Sequence, residues 1–189
     1  KNNNIKSTHA IKQCAKTLLN SNHVIVDVET TGLSESSQIV EIAVIDTNGN
    51  VLLNTLVNPS VRISPRATET HQINKDMLKD APRWPEVYER LNAAIGNKTI
   101  VAYNAEFEER LINQTCAAYQ IEPINRNYEC AMLLYAIWNG EPGRGKGQFK
   151  WKKLTDAQAK CKVRVNGENH RALTDCLVTM GVLKFISKK

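Results

Sequence analysis

The chain has 189 residues, 42% of them hydrophobic, enough for one fully packed domain. Its formal charge is +6, and no apolar run reaches the roughly 20 residues of a membrane span. Together these argue against a membrane-embedded protein and leave an acidic partner or a solvated basic face as readings of the charge. The five cysteines show neither CxxC nor Cys/His ligand spacing, and an odd, scattered count suits reduced thiols in a cytoplasmic protein. Cys130 and Cys176 lie among apolar residues and read as core.

Residues 1–22 open with Lys-Asn-Asn-Asn and then place Ile11, Ala15, Leu18 and Leu19 at helical spacing, with Ser7 or Thr8 as the expected N-cap. This leading helical segment lacks the apolar core of a signal peptide. Residues 23–189 read as a single domain. Residues 23–29 and 38–46 are apolar runs expected as strands, and Asn48-Gly49 is a turn signal before a third strand over 51–57, so the first half opens as an antiparallel meander. Pro59 and Pro65 mark a connecting loop. Short and longer helices are expected over 74–80 and 85–95, the latter stopped by Gly96. A strand over 99–104, a helix over 106–119, a strand near 128–130 and a helix through Trp138 follow, then helices over 151–160 and 172–187. The fold class is therefore α/β, with hairpin-connected strands first and alternating strands and helices after them.

Several acidic residues stand out from this frame. Asp27 and Glu29 are two apart in His23-Val-Ile-Val-Asp-Val-Glu29, so both point to one face of an otherwise apolar strand. Such a pair suits a solvated strand end or a divalent cation that offsets its repulsion. Glu108 aligns with Ile112, Thr115 and Tyr119 on the mostly apolar stripe of its helix, beside Phe107 and Leu111. An inward carboxylate needs a metal or an arginine, although the helix N-terminus also favours an anion there. His170 and Asp175 are about 140° apart on a helical wheel. If both serve one site, His170 belongs to the preceding loop, a suitable home for a general base.

The positive charge is local. Residues 140–165 carry eight basic residues against Glu141 and Asp156, and the rest of the chain balances at seventeen of each sign. Arg144, Lys146, Lys150, Lys152 and Lys153 surround Phe149 and Trp151. The combination suits a single strand held by phosphate contact and base stacking, or a solvated face with two aromatic core anchors. Gly140-Glu-Pro-Gly-Arg-Gly-Lys146 fits GxxxxGK, but Gly147 replaces the required Ser or Thr, so it reads as a flexible basic loop rather than a triphosphate site.

In their order, these motifs resemble the DEDDh exonucleases, the superfamily of the proofreading subunit of bacterial replicative polymerase, ribonuclease T and exonuclease X. Asp27-Val-Glu29-Thr30-Thr31-Gly32-Leu33 is similar to the first motif, Asp-x-Glu-Thr-x-Gly-Leu. Tyr103-Asn104-Ala-Glu-Phe107-Glu108 corresponds to the second, His-Asn-x-x-Phe-Asp. His170-x-Ala172-x-x-Asp175 matches the third, His-x-Ala-x-x-Asp, and Ile63 to Ile73 resembles a segment carried between the first two. Tyr103 and Glu108 depart from the pattern; glutamate keeps the charge and moves it by roughly an ångström.

The resemblance implies a ribonuclease H-like mixed sheet, antiparallel in its first three strands with parallel additions, flanked by helices. It implies hydrolysis of DNA or RNA from a 3′ end with two Mg²⁺ or Mn²⁺ ions, about 3.5 to 4 Å apart, stabilising the attacking and leaving oxygens. Asp27 would bridge both ions, Glu29 and Asp175 hold one, Glu108 assist and His170 deprotonate the attacking water. Thr30, Thr31, Gly32, Leu33, Tyr103, Asn104 and Phe107 would receive the terminal nucleotide. The partner implied is a nucleic acid with a free 3′ end, single-stranded in the favoured reading, with a polymerase or repair protein as a further partner. A binding module with a decayed site, and a proofreading subunit that needs a partner chain for activity, stand as the alternatives.

Overall fold

The computed structural model describes residues 2–145 and 147–189, with side chains from residue 8 onward. Its centre is β1 (His23–Thr30), whose β-branched residues suit a strand buried on both faces. Val24, Val26 and Val28 face one apolar layer and Ile25 the other, so Asp27 and Glu29 follow Ile25 to that second side. Antiparallel β2 (Ile39–Asp46) pairs with β1, and β3 (Val51–Leu56) pairs with β2. The Asp46 carboxylate accepts from the Asn48 and Asn50 N–H groups at 2.9 and 2.8 Å, fixing the turn between β2 and β3, where Gly49 has φ 99°. On the other side of β1, β4 (Thr99–Ala102) and β5 (Tyr128–Cys130) run parallel to it. The five-stranded order is β3-β2-β1-β4-β5.

Helices cover both faces. One layer holds α4 (Trp84–Ile95) and α5 (Ala105–Ala118), the other α1 (Asn2–Leu18), α6 (Ala131–Asn139), α7 (Leu154–Cys161) and α8 (Ala172–Lys188). Ala15 and Leu18 of α1 pack into the same core as Val178, Val182 and Ile186 of α8. No helix among the described residues is long and apolar enough to cross a membrane.

Three expectations need correction. Ser7 and Thr8 lie inside α1, which begins at Asn2, so neither caps it. Pro65 opens a helix, α2 (Pro65–His71), because Ser64 caps it through Ala67 N–H and proline suits the first helical position. α7 begins at Leu154, since Trp151 to Lys153 form a non-helical strap whose last residue, Lys153, is extended, its carbonyl and that of Lys152 held by the Tyr103 hydroxyl. The short α3 (Lys75–Leu78) has Asn74 as its cap.

A candidate active site at the ends of the parallel strands

β1 and β4 are parallel neighbours, so their carboxyl ends open a crevice of the kind where open α/β sheets bind ligands. Asp27 stands opposite Ala43 on β2 and is 8% exposed. Glu29 stands directly opposite Glu41. A like-charged cross-strand pair is unfavourable on its own, and the ladder slips by a residue immediately after it. The following turn is tied down internally: Thr30 Oγ1 donates to Gly32 O at 2.8 Å, and Thr31 Oγ1 accepts from Gln38 N–H at 3.0 Å. Buried His71 Nδ1 accepts from Ile73 N–H at 3.0 Å, which places its ring proton on Nε2, 3.1 Å from Thr30 O.

The end of β4 delivers Tyr103 and Asn104, and α5 starts at once. Glu108 falls in its first turn and is 4% exposed, on the face shared with Leu111, Ile112 and Thr115. Its Oε2 is buried and has no hydrogen-bond partner among the described residues. Tyr103 is buried, and its hydroxyl donates to the Lys152 and Lys153 carbonyls at 2.9 and 3.3 Å.

The start of α8 brings the third set. His170 precedes the helix in the left-handed region, φ 61°, with an exposed side chain. Its backbone N–H and its ring both favour the charged form of Asp175. Glu29, His170 and Asp175 each offer one ligand atom, all within 4.8 Å of one another. Arg171 reaches across to Glu41, Nη2 to Oε1 at 2.6 Å.

Burial and mutual repulsion push these acids upward. Asp27 lies well above the usual carboxylate range, through burial first and then Glu108, Asp175, Glu29 and Glu41. Glu108 is raised by burial, then by Glu29 and Asp175. Glu29 is pushed up to about 8 by burial, Asp175 and Glu41, against the pull of Arg171. Asp175 rises to about 6, burial outweighing the favourable His170. An oxygen-rich, over-charged cluster with an orphan carboxylate oxygen fits hard divalent cations such as Mg²⁺ or Mn²⁺.

A cavity of about 680 Å³ joins these groups except Glu29, which meets His170 and Asp175 but does not line the wall. Asp27, Glu108, His170 and Asp175 line it, as do Leu33, Tyr103, Asn104 and Phe107 and the strap of Trp151, Lys152 and Lys153. Leu33 is 72% exposed and also borders a second groove with Thr31 and Gly32. Thr30 lines neither of these two, its hydroxyl being committed to its own turn. Arg144 and Lys150 lie outside the cavity wall, and Lys150 and Lys152 both pair with Glu141. Lys146 lies outside the described residues. Around it, Pro142 bridges to Phe149, and among the described residues no helix begins before Leu154, unlike the helix that directly follows a phosphate loop. Sequence reasoning did not single out Glu41, Arg171, Met132, Leu154 or Thr155. The last three were unmarked cavity-wall residues, and the ion pair spans 130 positions.

The mixed five-stranded sheet, flanked by helices, is that of the ribonuclease H-like fold, and its family match makes the chain an exonuclease, a nuclease that acts on nucleic acid. Residues 24–183 match the RNase T exonuclease family, and the chain belongs to it. It is 42% identical over 184 residues to the uncharacterised exonuclease CP81 of Escherichia phage 186, covering 94% of each. DNA polymerase III subunit epsilon of Treponema pallidum is 29% identical over 133 residues, 68% of this chain and 60% of that one. Among solved structures, exonuclease X in complex with 5′ overhanging duplex DNA matches with a TM-score of 0.67 at 27% identity, over 88% of this chain and 92% of that one. The nuclease domain of 3′hExo, a DEDDh family member bound to rAMP, shares the fold with a TM-score of 0.67 at 15% identity. Exonucleases of this fold use divalent metal ions.

Proposed function

We propose that the chain hydrolyses DNA or RNA from a free 3′ end, with Asp27, Glu29, Glu108 and Asp175 holding two Mg²⁺ or Mn²⁺ ions and His170 as general base. The observation that carries this reading is the Glu108 Oε2 atom, buried and unpartnered beside a cluster of acids that raise one another. A carboxylate in that position is costly without a cation, so the second-motif glutamate serves in place of aspartate. The ions, when bound, supply the positive charge that stabilises the attacking and leaving oxygens.

His170 lies on an exposed turn at the cavity edge, where it can take the proton of an incoming water. Leu33, Asn104 and Phe107 frame the terminal nucleotide, while Trp151 offers a ring for base stacking and Lys152 and Lys153 meet phosphates. Residues 23–189 act as one exonuclease domain on which the leading helix packs, in the cytoplasm, on a single strand, alone or beside a polymerase or repair partner.

The test is a time course on matched 5′-labelled single-stranded DNA and RNA with Mg²⁺, Mn²⁺ or EDTA, alongside Asp27→Asn. A ladder shortening from the 3′ end, lost with EDTA and in the variant, supports the reading and gives the sugar preference. Binding without shortening contradicts activity of the isolated chain and points to a decayed site or a missing partner.

A further inference from the structure

Glu41 is the fifth carboxylate of this region, and it is the one whose bonding is complete. It stands across the β1–β2 ladder from Glu29, 4% exposed. Its Oε1 accepts from Arg171 Nη2 at 2.6 Å and Nε at 3.2 Å; its Oε2 accepts from Arg171 Nε at 3.1 Å and from Ala172 N–H at 2.9 Å. A carboxylate so engaged by one guanidinium and one backbone amide has little capacity left for a metal.

Those bonds fall on the residues next to His170. Ala172 is the first residue of α8, and its N–H is among those a helix start leaves without an internal partner. No side chain of the Arg171 cap position satisfies that end, so Glu41 does so from another element. Immediately upstream, His170 holds φ 61°, a conformation that a non-glycine residue keeps only where its surroundings impose it. Downstream, Asp175 N–H returns to Arg171 O at 3.0 Å. Arg171 is thus the joint between the His170 turn and the helix that carries Asp175, and its side chain is pinned to the strand facing Glu29.

We infer that Glu41 and Arg171 are positioning residues: their fork holds the His170 turn, and through it the imidazole, over the carboxylate cluster. The inference rests on His170 being the general base. Bidentate pairing fixes orientation as well as distance, and a guanidinium does this where a lysine ammonium cannot. A misplacement of about 1 Å in a catalytic group costs on the order of a hundredfold in rate.

The test is a double-mutant cycle with a structural readout. Arg171→Ala should lower kcat about tenfold to a hundredfold with little change in KM. In a His170→Ala background the same substitution should cost less than about twofold, because the group it positions is gone. Equal losses in both backgrounds, or a loss confined to KM, would overturn the inference. Arg171→Lys should recover only a minor part of the rate; full recovery would assign the effect to charge and overturn it too. Hydrogen exchange of residues 168–174 should rise about tenfold in Arg171→Ala with the rest of the chain unchanged, and an unchanged segment would refute the positioning role whether or not the chain turns over. Wild-type protein without metal-dependent cleavage would instead defeat the exonuclease reading alone.

Discussion

The hydroxyl of Tyr103, at the end of β4, donates to the Lys152 carbonyl 2.9 Å away and to that of Lys153 at 3.3 Å, joining residues 49 and 50 positions apart. The second motif that this stretch resembles has histidine here, and tyrosine reaches across to the strap that also lines the cavity. Tyr103→Phe should therefore keep the fold, lose about 1 kcal/mol of stability and raise KM for an oligonucleotide several-fold more than it lowers kcat. Thermal melting and steady-state kinetics on one preparation check both halves.

Asp27 sits where burial and four other carboxylates oppose its charge. Asp27→Asn should reduce cleavage to background while raising the melting temperature of metal-free protein at pH 8. The rise should be roughly 2–4 °C for each kcal/mol of repulsion relieved. A melting curve in EDTA beside the gel assay separates a lost ligand from a lost fold.

Glu108→Asp and Glu108→Gln divide charge from length. The aspartate variant should stay within about tenfold of the parent and the glutamine variant should fall about a hundredfold or more. Near-normal rates for both would return Glu108 to a cap of α5.

The pH dependence of stability follows from the same cluster. Glu29 is raised to about 8 and Asp175 to about 6, so between the ordinary carboxylate range and these values the folded state binds more protons than the unfolded one. Their contribution is complete below the unfolded pKa and is lost as pH rises through the folded values. Metal-free protein should melt highest near pH 5 and lose stability toward pH 8.5, and Mg²⁺ or Mn²⁺ should restore most of the loss at the alkaline end. Melting in EDTA and in excess metal across that range tests the sign; a rise with pH in EDTA would contradict it.

Trp151 is 61% exposed on the cavity wall. Trp151→Ala should weaken single-strand binding by about 1–3 kcal/mol, whereas Arg144→Ala, away from that wall, should change it less. Fluorescence anisotropy with catalysis blocked by EDTA measures both.

Much of this architecture is written in local patterns. The continuous apolar run of β1 and the Asn48-Gly49 turn specify the meander, and the helical wheel turns Glu108 inward, where it is 4% exposed. The wheel also places His170 before the helix of Asp175 if the two serve one site, and His170 lies on the turn before α8. Ser64-Pro65 was a legible helix start that the proline alone obscured. Other features have no local trace. Glu41 reads as one polar residue in a strand and Arg171 as one cation in a loop; only the β1–β2 register and the approach of α8 bring them together. The strap from Trp151 to Lys153 reads as helical but is not, the Lys152 and Lys153 carbonyls accepting from Tyr103 instead.

The placement of β1 at the middle of the sheet also has an evolutionary side. Its valines serve one layer, Ile25 the other, and the two acids stand opposite Ala43 and Glu41. Hardly a position in it is free to drift alone. A lineage that enlarges Ala43 crowds Asp27, and one that loses Glu41 releases Arg171, so compensating changes belong across the ladder on β2 and at the head of α8 rather than along the strand itself.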